Sequence, residues 1–129
     1  MNNKRLCIID DDPTYVFALN YLLKINKLCY ETIVFSNGKE ALDYFDEHRD
    51  LEDKLPHVVF LDMNMPMMDG WDFMDAYSQL RPSLKQDMSL YMMSSSINKN
   101  DVARSREFEQ IAGYLVKPME VEELIKILV

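Results

Sequence analysis

The strongest constraint in this sequence is a set of five short apolar runs, each closed by charged or turn-forming residues. They are Leu6-Cys7-Ile8-Ile9, Thr32-Ile33-Val34-Phe35, Val58-Val59-Phe60-Leu61, Leu90-Tyr91-Met92-Met93 and Tyr114-Leu115-Val116. Each is too short for a helix, and the runs are continuous rather than alternating, as expected of strands covered on both faces. Segments of helical period lie between them. Asp12 is placed to cap a helix begun by Pro13, with Val16, Leu19 and Leu23 on one face. Asn37-Gly38 opens a second helix carrying Ala41, Leu42 and Phe45. A third runs from Gly70 to about Leu80 and ends at Arg81-Pro82. A fourth is expected from Asn100 to Phe108, and a fifth from Val121 to Leu128 with Val121, Leu124, Ile125 and Leu128 facing inward. Strands alternating with helices predict an α/β fold with a parallel sheet. Right-handed crossovers restrict it to a doubly wound (βα)5 arrangement of flavodoxin-like order 2-1-3-4-5.

Composition limits what such a fold can serve. The chain has 129 residues, suited to one domain, and 48% of them are hydrophobic, enough for a packed core. With 14 Lys plus Arg against 22 Asp plus Glu, the formal charge is −8. Phosphate backbones and anionic membranes repel such a chain, so neither nucleic acid nor a membrane surface is an expected partner. No apolar stretch approaches the roughly 20 residues of a membrane-spanning helix. The opening Met1-Asn2-Asn3-Lys4-Arg5 leads into too short an apolar run for a signal peptide, so a cytoplasmic location is expected. Cys7 and Cys29 lie in apolar segments without metal-ligand spacing and read as buried reduced thiols.

The polar residues are informative by position. The first strand ends in Asp10-Asp11-Asp12, the third in Asp62, the fourth in Ser94-Ser95-Ser96 and the fifth in Lys117-Pro118. Open parallel sheets bind ligands beyond the carboxyl ends of their strands, where the strand order reverses. In the order 2-1-3-4-5 these residues share one pocket. Asp10, Asp11 and Asp62 would repel one another there. A like-charge pair about 4 Å apart, at an effective dielectric near 20, costs roughly 4 kcal/mol. The pocket therefore calls for a cation, and hard oxygen ligands with room for water and phosphate suit Mg²⁺. Lys117 adds a fixed positive charge. Such a site is equipped to move a phosphoryl group, with the exposed carboxylate attacking in line.

Four blocks carry a resemblance: Cys7-Ile8-Ile9-Asp10-Asp11-Asp12-Pro13, Leu61 through Gly70 (LDMNMPMMDG), Met92-Met93-Ser94-Ser95, and Gly113-Tyr114-Leu115-Val116-Lys117-Pro118. In order and over essentially the whole chain, they resemble the signature blocks of response-regulator receiver domains. The resemblance implies a stand-alone, chemotaxis-regulator-like receiver over residues 1–129 with no output domain. Asp62 would accept a phosphoryl group from the phosphohistidine of a sensor histidine kinase or a histidine phosphotransfer protein and lose it slowly by self-dephosphorylation. No other catalysis is expected. Asp11 would bind Mg²⁺ directly and Asp10 mainly through water, with the Asn64 backbone carbonyl as a further ligand. Lys117 and Ser94 would contact phosphoryl oxygens, helped by the Ser95 N–H. Ser94 and Tyr114 would form a switch pair that remodels the face of the fourth helix, fifth strand and fifth helix for a downstream protein. The chain would be a monomer or weak dimer, with a cis Lys117-Pro118 bond.

Two positions depart from the commonest pattern: Asp12 stands where Glu is frequent, and Ser94 where Thr is frequent. The Ser96 and Asn98-Lys99-Asn100 positions are candidates for tuning phosphoryl lifetime. Within the receiver pattern Asp69-Gly70 reads as a turn, with glycine supplying a positive φ. Met92 and Met93 read as core, while Met65, Met67 and Met68 read as a loop that could offer an adaptable contact surface. His48 and His57 read as surface or loop residues. Other chemistries fit less well. A haloacid-dehalogenase-like phosphatase wants a second Asp where Asn64 stands. A calcium loop beginning at Asp62 would place Phe73 where a bidentate Glu belongs. A flavin phosphate would be repelled by Asp10-Asp11-Asp12. A phosphorylation-independent pseudo-receiver is the remaining alternative, and the intact set Asp10, Asp11, Asp62, Ser94 and Lys117 argues against it.

Overall fold

In a computed structural model, which describes residues 4–28, 30–96 and 98–129, the apolar runs become five parallel strands. These are β1 (Lys4–Ile9), β2 (Tyr30–Phe35), β3 (Val58–Asp62), β4 (Ser89–Ser94) and β5 (Ile111–Val116), hydrogen-bonded in the order β2-β1-β3-β4-β5. Five helices connect or follow them: α1 (Pro13–Ile25), α2 (Gly38–Glu47), α3 (Gly70–Leu80), α4 (Lys99–Ser105) and α5 (Val121–Leu128). A single 3-10 turn, Arg81–Ser83, follows α3. The flavodoxin-like order is the expected one.

Alternation along each strand sorts the core into two layers. Cys7, Ile9, Val59, Leu61, Leu90 and Met92 face a cluster built with Ala41 and Phe45 of α2 and Phe73, Met74 and Tyr77 of α3. Leu6, Ile8, Phe60, Met93 and Leu115 face Val16, Leu19 and Leu23 of α1 and Leu124 and Leu128 of α5. The three central strands are continuous apolar runs because both of their faces are covered. The edges differ from that expectation: Val34 on β2 is exposed, and β5 buries only Leu115. An edge strand has a neighbour on one side only, so the covering layers thin out there.

Local chemistry sets the helix starts. Asp12 caps α1, accepting from the Thr14 and Tyr15 N–H groups, and Asn37 caps α2 through Glu40. Asp69 and Asp72 form a reciprocal capping box at the start of α3. Three expectations need correction. No glycine has positive φ among the described residues, so Gly70 is not a left-handed turn residue. It is the first residue of α3, and a Cβ there would stand 2.5 Å from Met63 Sδ. Close packing against Met63 favours glycine here, and the positive φ of this loop belongs to Met67 at 71°. Ile125 does not face inward; it is exposed, Val121 is half-buried, and α5 packs through Leu124 and Leu128. The fourth helix is shorter than its apolar pattern implies. It buries only Ser105 and ends before Phe108, whose ring instead stacks on Trp71 of α3, 5.9 Å between centroids. Trp71 also donates its indole N–H to Asp101 (3.2 Å), while the Arg104 guanidinium lies over its ring, 4.6 Å away.

Met92 and Met93 are core residues, as expected. Met65 is buried as well, which leaves Met67 as the fully exposed methionine of its loop. Cys7 is a buried free thiol, its pKa pushed up by burial, and Cys29 lies outside the described residues. None of the described helices is long and apolar enough to cross a membrane.

Candidate functional site

Four strand ends build the site. Asp10 follows β1 directly and is fixed there by its N–H, which donates to the Phe35 carbonyl (3.0 Å). Its side chain is buried: Oδ1 accepts the Asp12 N–H (2.9 Å), and Oδ2 lies 2.6 Å from Lys117 Nζ. Asp62 closes β3 and Ser94 closes β4. The β4–β5 ladder runs one bond further, the Lys117 N–H donating to the Ser94 carbonyl (2.8 Å), which fixes where the lysine leaves the sheet. The Lys117–Pro118 bond is cis, as the resemblance implied. From there the ammonium reaches back across the sheet to lie 3.3 Å from Asp62 Oδ1 as well.

The Asp62 carboxylate is asymmetric. Oδ1 takes the Lys117 contact and the Asn64 N–H (3.2 Å), while no donor among the described residues reaches Oδ2. Burial raises the pKa of Asp62 from its ordinary value; the Asn64 N–H and Lys117 oppose that shift, and the Asp10 charge adds to it. Asp11 is exposed at the rim. One oxygen from each of Asp10, Asp11 and Asp62 falls within 4.8 Å of the others, so the three can converge on one metal ion. All three donors are hard carboxylate oxygens, and Asp11 offers its own from the exposed side.

Other expected residues fall at varying distances from this centre. The Asn64 side-chain amide approaches Ser94 Oγ (3.4 Å), which also lies 3.4 Å from the Ser96 N–H. Ser95 is exposed beside them. Tyr114 stands apart: it is half-buried against the α2–α3 layer, and its buried hydroxyl has no hydrogen-bond partner among the described residues. The Ser94 hydroxyl thus contacts Asn64 and Ser96 in this structure rather than Tyr114. Neither histidine reaches the site. His48 caps α2 and stacks on Tyr44, and His57 accepts the Arg5 N–H at the opposite end of the sheet.

Sequence reasoning missed Tyr15. Its ring lies under the Lys117 ammonium, 4.5 Å from Nζ to the centroid, and its hydroxyl meets Met93 Sδ at 3.6 Å. Burial and the Asp10 charge push its pKa up to about 12. The available signal was positional: a helix starting immediately after Asp10-Asp11-Asp12 must keep its first turn near the strand ends.

Comparison with known proteins agrees with this fold. Residues 6–129 match the response regulator receiver domain family, and the chain belongs to it. Two-component response regulator ARR11 of Arabidopsis thaliana is 32% identical over 120 residues, 93% of this chain and 21% of that protein. Response regulator Rcp1 of Synechocystis sp. is 25% identical over 95% of this chain and 82% of its own length. The crystal structure of its Mn²⁺-bound form superposes with a TM-score of 0.74, covering 97% of this chain and 90% of that one. A two-component response regulator from Cytophaga hutchinsonii reaches a TM-score of 0.86 at 22% identity, over 98% and 95% of the two chains. The chain spans about a fifth of the length of the plant regulators it matches. Receiver domains are phosphoryl-accepting signalling modules of two-component systems, and that is the class of this chain.

Proposed function

We propose that Asp62 is the phosphoryl acceptor and that Asp10, Asp11, Lys117, Ser94 and the Asn64 and Ser95 backbone serve it. The observation that carries this reading is the asymmetric Asp62 carboxylate, with Oδ1 held by Lys117 and Asn64 and Oδ2 left without a donor among the described residues. In the proposed step Oδ2 forms a bond to phosphorus as the P–N bond of a phosphohistidine breaks. The electron pair goes to the imidazole, which takes up a proton. Lys117 follows the charge from the carboxylate to a phosphoryl oxygen, and Ser94 donates to another. In self-dephosphorylation water attacks phosphorus, the bond between Asp62 and phosphorus breaks with its electron pair returning to the carboxylate, and the water's proton leaves with the inorganic phosphate.

Asp10, Asp11 and Asp62 with the Asn64 carbonyl would hold a divalent cation of the Mg²⁺ class, which when bound offsets their mutual repulsion and the charge of the phosphoryl oxygens. The Mn²⁺-bound form of Rcp1 is a precedent among relatives for such an ion. The expected donor is a sensor histidine kinase or a histidine phosphotransfer protein. The signal would leave through the α4–β5–α5 face to a downstream protein, with Ser94 and Tyr114 as the switch. Tyr114 supports that part with its unpartnered buried hydroxyl, which a small rearrangement could bring to a partner.

The test is Mg²⁺-dependent labelling by acetyl phosphate, followed by intact mass and by lability of the acyl phosphate to hydroxylamine. A single added phosphoryl group, lost in Asp62→Asn and abolished by chelation, is the expected result. Labelling that persists in Asp62→Asn overturns the assignment. A chain that takes no label yet binds its partners would instead be a phosphorylation-independent module.

A further inference from the structure

We propose that Tyr15 is a positioning residue for Lys117, its ring the surface on which the ammonium rests while the anions around it change. The inference deepens the reading of Asp62 and Lys117 given above and rests on it. Lys117 Nζ has close neighbours of two kinds. Two are carboxylates, Asp10 at 2.6 Å and Asp62 at 3.3 Å; another is the Tyr15 ring, 4.5 Å to its centroid. That separation is within the range in which a cation is attracted to the face of an aromatic ring.

The ring is held at both ends. Its backbone N–H lies 3.4 Å from the Asp12 cap in the first turn of α1, and its hydroxyl reaches Met93 on β4. The α1 cap next to Asp10 and the strand that ends in Ser94 therefore hold the residue at its backbone and at its hydroxyl. Helix α1 does not bury its aromatics by default, because Phe17, two residues on, is 73% exposed.

The chemistry gives the ring a distinct role. Esterification removes the negative charge from the Asp62 carboxylate and places charge on phosphoryl oxygens further out. A lysine held by carboxylates alone would be drawn toward Asp10, and its four-carbon stem has ample freedom to follow. The ring's attraction does not change when Asp62 is modified. It keeps the ammonium near the acceptor and adds to its cover, consistent with a Lys117 side chain only 15% exposed.

Two variants separate ring from bulk: Tyr15→Phe keeps the aromatic face, and Tyr15→Leu keeps apolar volume without it. The first readout needs neither metal nor phosphate. In the metal-free protein the Lys117 Hε protons, assigned with Lys117→Arg, are expected to be shifted upfield by the ring in wild type and Tyr15→Phe and to return to the ordinary position in Tyr15→Leu. The second is the rate of Asp62 labelling by acetyl phosphate with Mg²⁺, expected to fall about fivefold in Tyr15→Leu and to be restored in Tyr15→Phe. Circular dichroism checks folding, and Tyr15→Met replaces Tyr15→Leu if the latter unfolds. Unshifted Lys117 protons in wild type, or wild-type labelling in the folded leucine or methionine variant, overturn the proposal. A wild-type protein that takes no label overturns the Asp62 reading instead, and the proton shifts then decide the Tyr15–Lys117 contact by themselves.

Discussion

The two ends of the sheet treat polar groups in opposite ways. At the amino end, Arg5 of β1 fastens the segment that leads into β3. Its Nε donates to the Leu55 carbonyl (2.8 Å) and its Nη2 to the Glu52 carbonyl (2.5 Å). Its backbone exchanges bonds with His57, whose own carbonyl accepts from Ser89. Every polar group named there has a partner, most of them main-chain atoms. At the carboxyl end, buried Asp10 and Asp62 share one ammonium, and an Asp62 oxygen has no donor among the described residues. One end holds the chain together, and the other keeps an arrangement that costs stability and leaves a carboxylate oxygen open.

That contrast can be broken experimentally, and the largest effect is expected at the amino end. Leu55 is fully buried in the Arg5-fastened segment, so Leu55→Ala should lower unfolding free energy by about 3 kcal/mol in urea titrations. Arg5→Met keeps the stem and removes two charge-assisted bonds; a loss of about 2 kcal/mol is expected in the same titration. Asp62→Asn at the carboxyl end should do the reverse. Without divalent cations it should raise stability by about 1 kcal/mol, since a buried like charge is removed. Destabilisation by Asp62→Asn would mean that the two ends are not different in kind.

The smallest expected effect is a pH dependence. Burial and the nearby Arg5 and Lys4 charges lower the pKa of His57 from its ordinary 6.5. The neutral ring, whose Nδ1 accepts the Arg5 N–H, is the form the fold favours. The unfolded chain then binds the proton more readily, so this contribution is complete above about pH 6.5 and is lost as pH falls through the folded pKa. Thermal melts of wild type and His57→Asn at pH 7.5 and 5.5 should show a larger drop in the wild type.

Much of this was legible in the sequence for a definite reason. Buried parallel strands must be apolar along their length, so a charge that ends such a run marks a strand tip, and the tips of a doubly wound sheet are neighbours. Asp10, Asp62, Ser94 and Lys117 could be placed together on that logic alone. What escaped depends on side chains meeting across distant segments. Nothing local to Tyr15 shows that it will lie under Lys117, 102 residues further along the chain. Gly70 looked like a turn residue because an Asp-Gly pair usually is one; its actual constraint, the sulfur of Met63, is a packing contact. Phe108 fits the helical period of α4, yet the ring is taken by Trp71 instead.

That last contact has a practical consequence. Trp71 is the chain's single tryptophan, and it sits in the seam between α3, anchored by Phe73, Met74 and Tyr77, and α4, which buries only Ser105. Any departure of α4 would strip Asp101 and Arg104 from the indole, so its native emission serves as an unlabelled optical gauge of that helix.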